Sequence, residues 1–336
     1  MIDLSIIIIS FNTRAMTLEC LRSVRAETRD VALEIIVVDN NSSDGSAAAI
    51  ETEFSDVRLM ALKENIGFGR ANNLAIKTAH GRRVLLLNPD TVVLDRAIDR
   101  LVAFANETPS CRVWGGRTLN KDHSLNPSSC WRSMTLWCLT CESFGLVHLF
   151  PNSRIFNPEA YGGWDRGSVR NVDVVSGCFL LIDRDLWDRL EGFNPAFFMY
   201  GEEQDLCIRA RRFGARPIVT PSATIVHYGG ASTTSSVEQR LLLLKGKATL
   251  TAQHWGPINR RIGTVLFLLG ALLRLVSYQL VSSLVRRPGL RSQAAQWKAI
   301  LLRRQEWIHG YTPGSLGSAA QQDRAPQPFG QREIVG

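Results

Sequence analysis

Over the first hundred residues, short apolar runs alternate with stretches of helical period. Strands are predicted at 4–11, 34–39, 57–62 and 83–88, with helices near 14–27, 45–53 and 68–79 between them. The strands are nearly continuous in Ile, Val and Leu instead of alternating apolar with polar, the pattern of a parallel sheet covered on both faces. Such an alternation predicts right-handed crossovers and a ligand crevice outside the carboxyl ends of the strands. The expected fold class is therefore α/β, with a Rossmann-like, mostly parallel sheet.

Beyond residue 117 the periodicity weakens. Residues 117–170 mix Trp131, Trp137, Phe144, Phe150, Phe156, Tyr161 and Trp164 with Asn, Ser, Gly and Pro. This reads as a partly helical excursion, either shaping a pocket or packed on its own aromatics. Order returns with an apolar strand at 172–182 and another at 223–226. The stretch 262–285 is mostly apolar but carries Arg274, Gln279 and several serines. A spanning helix needs about 20 apolar residues, and a central Arg costs ~2.5–3.5 kcal/mol. Spanning, hairpin-like and in-plane placements all stay open, with in-plane favoured. Trp297, Ile300, Leu301, Trp307 and Ile308 share one helical face flanked by Lys298 and Arg303, the look of an interfacial helix. The expected division is a first domain over 1–230, a basic apolar helical module over 231–310, and a disordered Gly-, Ser-, Gln- and Pro-rich tail over 311–336.

Polar residues gather where the strands end. Asp39 closes the second strand and opens Asp-Asn-Asn-Ser, which would serve an Asx-turn or a ligand equally. Gly67-Phe-Gly-Arg-Ala-Asn72 approaches the dinucleotide fingerprint, but Asn72 replaces its third glycine and the run follows the third strand, not the first. Asn88-Pro-Asp90 follows the fourth strand, where a plain turn would also fit. Gly201 opens a helix carrying Glu202, Glu203 and Asp205 in its first turn, a placement the helix dipole favours by itself. Asp205 and Arg209 are spaced to pair across one helical turn. His227 follows an apolar strand and precedes Gly229-Gly230.

Taken in order over residues 4–230, these segments resemble the family 2 glycosyltransferases, and within them the bacterial rhamnosyltransferase-like enzymes. The resemblance implies a GT-A (nucleotide-diphospho-sugar transferase) fold and transfer of a sugar with inversion. It puts Asp39 at the nucleotide base, with Ser10, Phe11 and Asn12 lining the same pocket and Asn65, Gly67, Phe68 and Asn72 beside the nucleotide-sugar. Asn88-Pro-Asp90 stands at the family's D-x-D motif: Asp90 matches the direct metal ligand, and Asn88 departs from the first carboxylate. His227 matches a second ligand to Mg²⁺ or Mn²⁺ on the donor diphosphate. Glu202-Glu203 stands at the family's E-D pair, with Glu203 at the general base and Glu202 raising its proton affinity. The strand 172–182, with Asp173 and Gly177, falls beneath the acceptor, and Asp205 either contacts the acceptor or pairs with Arg209. The implied partners are a nucleotide-diphospho-sugar donor, with dTDP-rhamnose ahead of UDP-galactofuranose or a UDP-hexose, and a cell-surface glycan or polyprenyl-diphosphate-linked saccharide as acceptor. The departures at Asn88 and Glu203 keep open a non-catalytic nucleotide-sugar-binding membrane scaffold.

Charge refines this picture. The chain of 336 residues has a net charge of +8, yet 236–310 alone carries twelve Lys/Arg against Glu238 and Glu306, about +10. The basicity belongs to the C-terminal module and is interleaved with aliphatic runs, which fits an anionic membrane surface and not a nucleic acid. Seven cysteines, an odd number, are scattered through the chain, and its short N-terminal apolar run lacks a basic n-region or cleavage site. The expected location is the cytoplasmic face of a bacterial membrane, peripheral or weakly inserted. Cys138 and Cys141 form a C-x-x-C without a second pair, and buried small apolar side chains are the expected reading.

Overall fold

A computed structural model describes residues 2–229, 236–285 and 288–311. The expected alternation is present: β1 (Leu4–Ser10), α1 (Arg14–Glu27), β2 (Leu33–Asp39), α2 (Ser46–Glu53), β3 (Arg58–Ala61), α3 (Phe68–Ile76) and β4 (Arg83–Leu87) follow in sequence. After them come β5 (Thr91–Val93), α4 (Ala97–Glu107) and β6 (Val113–Leu119). The excursion holds β7 (Leu125–Asn126), β8 (Cys130–Trp131), α5 (Leu136–Ser143) and α6 (Leu146–Leu149). Then β9 (Arg170–Asn171), β10 (Val174–Val175), β11 (Phe179–Asp183), α7 (Arg184–Arg189), α8 (Glu202–Arg212) and β12 (Ile218–His227) return to the sheet region.

The main sheet runs β3-β2-β1-β4-β11-β6-β12-β5, with β7 added to β6 and β9 to β12. Strands β3, β2, β1 and β4 are parallel. β11 enters antiparallel to both β4 and β6, and β12 lies parallel to β6. The carboxyl ends of β1, β2, β4 and β12 therefore share one edge. Buried apolar clusters fill both faces, α1, α2 and α4 covering one and α3, α7 and α8 the other, which is why the strands could be apolar throughout.

Two expectations need correction. The strand foreseen over 172–182 is broken at Ser176-Gly177-Cys178: β10 leaves to pair with β8, and only β11 belongs to the main sheet. The two halves pair with different partners, β10 with β8 of the excursion and β11 with β4 and β6, and Gly177 at the break sits in ordinary contact with Phe68 and Glu203. The second concerns the C-terminal aromatic face. Beyond the first domain lie α9 (Ser236–His254), α10 (Pro257–Leu284), α11 (Pro288–Leu302) and α12 (Arg304–Trp307). Ile300 and Trp307 are fully buried, and Trp297 is stacked beneath Arg240 and Arg274. These residues face α9 and α10, not a bilayer, because the four helices close a core of their own with Phe197, Leu241, Phe267 and Tyr311. The boundary expected at 230, the pair Arg286-Arg287 and the tail beyond 311 lie outside the described residues.

In the excursion the aromatics pack largely on one another: Phe156 against Trp137 and Phe150, and Tyr161 edge-on to Trp164. All seven cysteines are free and buried, and burial pushes the Cys20 and Cys207 thiols up to about 12.

Candidate functional site

The β1 and β2 ends are joined by register, Ser10 beside Asp39. Ser10 itself turns inward, its hydroxyl 3.1 Å from Thr17 and 3.3 Å from Thr13, so only its backbone faces the edge. Asn12 adopts a left-handed conformation and binds the neighbouring loop, its N–H donating to Ser42 Oγ and its Oδ1 accepting from the Ser43 N–H. Phe11 beside it is half-buried. Asp39 is buried. Its Oδ2 accepts from the Ser42 N–H at 3.0 Å, while Oδ1 has no partner. A buried carboxylate oxygen without a donor costs about 1–3 kcal/mol, so Asp39 is poised for a ligand N–H or O–H.

A second loop closes over this edge. The Asn40 amide donates to Asn65 Oδ1 at 2.8 Å and accepts from the Ile66 N–H at 3.0 Å, while Asn65 Oδ1 also takes the Gly67 N–H. Gly67 has a φ of 84°, and a Cβ there would lie 2.5 Å from the Phe198 carbonyl oxygen. Glycine is thus required by conformation and by space. The Phe68 N–H donates to the same Phe198 oxygen at 2.9 Å, tying the start of α3 to the segment that precedes α8. Asn72 is buried one turn on, its amide donating to the Phe68 carbonyl and its Oδ1 unpartnered.

At the β4 end, Asn88 and Asp90 meet the end of β12. Asp90 Oδ1 lies 3.4 Å from His227 Nε2, and Asn88 Nδ2 lies 3.3 Å from the same nitrogen. The β5–β12 pairing fixes this meeting, since His227 is opposite Thr91 and the Tyr228 N–H donates to the Asp90 carbonyl. Burial pulls the His227 imidazole down, but the Cys178 thiol and the Asp90 carboxylate beside it prevail and push it up to about 11. A proton and a cation are alternatives on that nitrogen. Two ligand atoms bound side by side to one divalent ion lie about 3 Å apart, so Asp90 and His227 fit such an ion. Among the described residues no cluster of three or more His, Cys, Asp or Glu side chains could hold a metal alone. The pair is a partial shell that diphosphate oxygens could complete.

The third component is the start of α8. Glu202 is buried with Oε2 unpartnered, its Cβ close to Gly69. Burial and then the neighbouring Glu203 push its carboxyl well above the ordinary carboxylate range. Glu203 is half-buried, its Cβ beside Gly177 and near the Phe68 ring; burial raises it too, partly offset by backbone N–H groups. The two carboxylates therefore share one low-dielectric corner, with Glu203 on its open side.

Two residues expected at the acceptor have partners within the protein. Both Asp205 oxygens are bound, Oδ2 by Arg209 Nε at 2.7 Å and Oδ1 by His254 Nε2 at 2.8 Å. Arg209 also donates to the Leu190 and Gly192 carbonyls. Of the two roles open to Asp205, the structure realises the pairing with Arg209. Asp173 accepts from the Ser133 N–H at 2.8 Å and pairs with Arg211 at 3.4 Å. Sequence reasoning missed Asn40 and His254. Asn40 could have been noticed as the polar residue next to a strand-end Asp, whereas nothing local marks His254, whose partner is 49 residues away.

The family model described as "Glycosyl transferase family 2" matches residues 5–187. An N-acetylglucosaminyl-diphospho-decaprenol L-rhamnosyltransferase of Mycobacterium tuberculosis is 27% identical over 215 residues, 60% of this chain and 68% of that protein. The O-antigen biosynthesis protein RfbC of Myxococcus xanthus is 28% identical over 236 residues, 67% of this chain but 17% of that much longer protein. Among solved structures, the mannosyltransferase PcManGT of Pyrobaculum calidifontis, in complex with GDP-Man and Mn²⁺, superposes with a TM-score of 0.53 at 14% identity, covering 96% of this chain and 88% of that one. The fold is GT-A, and the chain belongs to glycosyl transferase family 2 as a glycosyltransferase.

Proposed function

We propose that this glycosyltransferase works with inversion and moves L-rhamnose from dTDP-rhamnose to a cell-surface glycan or a polyprenyl-diphosphate-linked saccharide. The observation that carries the catalytic reading is the corner formed by Glu203, Gly177 and Phe68, with the carboxyl proton affinity raised by burial. In the step proposed, the acceptor hydroxyl oxygen attacks the anomeric carbon from the face opposite the diphosphate. The carbon–oxygen bond to phosphate breaks, the nucleoside diphosphate departs, and Glu203 takes the hydroxyl proton. Asp39 Oδ1 supports recognition of the base, and the loop locked by Asn40 and Asn65 covers the donor. Asp90 and His227 would hold a divalent cation, Mg²⁺ or Mn²⁺, which supplies positive charge to the departing diphosphate. The rhamnosyltransferase names of two relatives, the M. tuberculosis enzyme and WbbL of Escherichia coli, support the choice of sugar. The basic C-terminal helices support action at the cytoplasmic face of the membrane.

The test is a panel of dTDP-rhamnose, UDP-galactofuranose and UDP-hexoses with and without Mn²⁺, read by thermal unfolding and by transfer to a polyprenyl-diphosphate-linked saccharide. A donor at about 100 times its Kd adds about 2.7 kcal/mol. dTDP-rhamnose should give the largest metal-dependent shift and the transfer. A larger shift with a UDP-sugar removes the sugar assignment, and no shift with any donor removes the catalytic reading.

A further inference from the structure

α10 is 28 residues long, about 42 Å, and apolar enough to cross a membrane by length and composition. Its two faces are not equivalent. Gly263, Phe267, Gly270 and Ala271 are buried on one side. There Gly263 lies against Trp255 and Leu139, and Gly270 against Ser143. Ser143 Oγ donates to the Leu266 carbonyl at 2.8 Å, and Arg274 Nη2 donates to the Glu142 carbonyl at 2.8 Å. This face is therefore fastened to α5 and the packed helical core from Gly263 to Arg274. Arg274, the residue that made spanning costly in the sequence, points to protein.

The opposite face is bare. Ile258, Ile262, Val265, Leu272, Val276 and Leu280 are all exposed, at spacings of four, three, seven, four and four that keep them on one side of the helix. A continuous aliphatic stripe of this length is unusual on a soluble surface. At its N-terminal end opens a cavity of about 620 Å³ lined by Trp255, Arg260, Arg261 and Thr264. Both arginines are exposed, and no ion pair with either is found among the described residues. Cations and an indole at the end of an aliphatic stripe complement an amphiphile with an anionic head.

We propose that α10 lies in the plane of an anionic bilayer, its Ile258–Leu280 stripe among the acyl chains and its Arg260–Arg261–Trp255 cavity holding a lipid phosphate headgroup. This rests on the proposed membrane location and specifies its geometry. Crossing the bilayer would require stripping α10 from α5, breaking the Arg274 and Ser143 contacts and exposing Phe267 and Ala271. Lying flat breaks none of them, and buries the stripe about 5–10 Å into the interface.

Two measurements on the full-length protein test this, using vesicles of neutral phosphatidylcholine with or without phosphatidylglycerol. Single cysteines at Ile262→Cys, Leu272→Cys and Leu280→Cys, labelled with an environment-sensitive dye while the native thiols stay buried, report depth by quenching. The expected result is one common shallow depth at all three sites. A deep Leu272→Cys between shallow Ile262→Cys and Leu280→Cys would mean a spanning helix and overturn the proposal. For the headgroup, Arg260→Gln/Arg261→Gln should weaken binding to phosphatidylglycerol vesicles about 5-fold per charge and about 30-fold together. Arg291→Gln/Lys298→Gln, an equal charge loss on exposed positions of α11, should cost much less. Equal losses from the two pairs would reduce the cavity to general basicity. Concentration-dependent dimers that shield all three dyes without vesicle binding would assign the stripe to a second copy instead. Retained stabilisation by dTDP-rhamnose in every variant keeps a failure here separate from a failure of the transferase reading.

Discussion

Replacing Glu203 with Gln keeps its size and much of its hydrogen bonding but removes its capacity to accept a proton. Its Cβ lies near Gly177 and Phe68, and it is the more exposed of the two glutamates, which is why we propose it as the one that meets an acceptor hydroxyl. Turnover should fall by roughly 10²–10⁴, about 3–5 kcal/mol of barrier, with donor affinity retained. The pH profile adds a sign. A base works when ionised, and the raised affinity of Glu203 delays ionisation, so kcat/KM should climb with pH above the ordinary carboxylate range. Glu202 is the carboxyl held protonated while Glu203 ionises, so Glu202→Gln should leave that climb nearly unmoved and should not abolish turnover. Glu202→Gln should also change stability. The folded-state pKa of Glu202 is raised, so its stabilising contribution is complete below the unfolded carboxylate range and lost as pH rises through the folded value. The variant should therefore gain about 1–3 kcal/mol over the parent at pH 8 and little near pH 4, measured by denaturant unfolding. If Glu203→Gln turns over normally while Glu202→Gln or Asp205→Asn is inactive, the base is the neighbour. If all three variants are active, the catalytic reading fails.

Asp90→Ala should abolish transfer, and His227→Ala should lower it roughly 10²-fold while weakening Mn²⁺ binding to the protein–nucleotide complex by calorimetry; full activity in excess EDTA would refute the metal assignment. Gly67→Ala should destabilise by about 1–3 kcal/mol from backbone strain alone, and the contact with Phe198 should add to this in thermal unfolding; wild-type stability would refute it. Asp205→Ala leaves Arg209 and His254 without their buried partner and should cost about 3–5 kcal/mol, with His254→Gln costing less. A chain cut after Gly229 should lose vesicle binding and be less stable; equal sedimentation of both chains with anionic vesicles would remove the C-terminal helices as the anchor.

The sheet was legible because its signal is local and repeated. Runs of Ile, Val and Leu mark β1, β2 and β4 with helical periods between them, and polar residues at their ends mark the crevice before any side-chain position is known. The strand at 172–182 misled because its composition is mostly apolar, while its first half pairs with Cys130–Trp131, a partner remote in sequence. The C-terminal face of Trp297, Ile300 and Trp307 misled for a related reason. An amphipathic period says that one face is covered, but not whether lipid or a neighbouring helix covers it. Here α9 and α10 cover it, and the exposed stripe lies on α10, the stretch whose placement the sequence left open.

The same helices explain why the acidic start of α8 cannot be understood from its own segment. Acidic residues at a helix N-terminus are favoured by the dipole, so the sequence alone could not separate dipole complement from catalysis. The structure divides the three carboxylates by what surrounds them. Asp205 is consumed by Arg209 and His254, Glu202 is enclosed, and Glu203 keeps an open side. Several contacts from the C-terminal helices converge on the segment leading into α8. Tyr311 Oη donates to the Met199 carbonyl, a Cβ at Gly246 would lie 2.2 Å from the Tyr200 oxygen, and His254 holds Asp205. Such contacts restrict the segment that also supplies the Phe198 carbonyl to the donor-side loop at Phe68. The C-terminal helices thus back the segment that carries Glu202 and Glu203, so the surface proposed to meet lipid and the carboxylate proposed to meet the acceptor hydroxyl are held in one packed body.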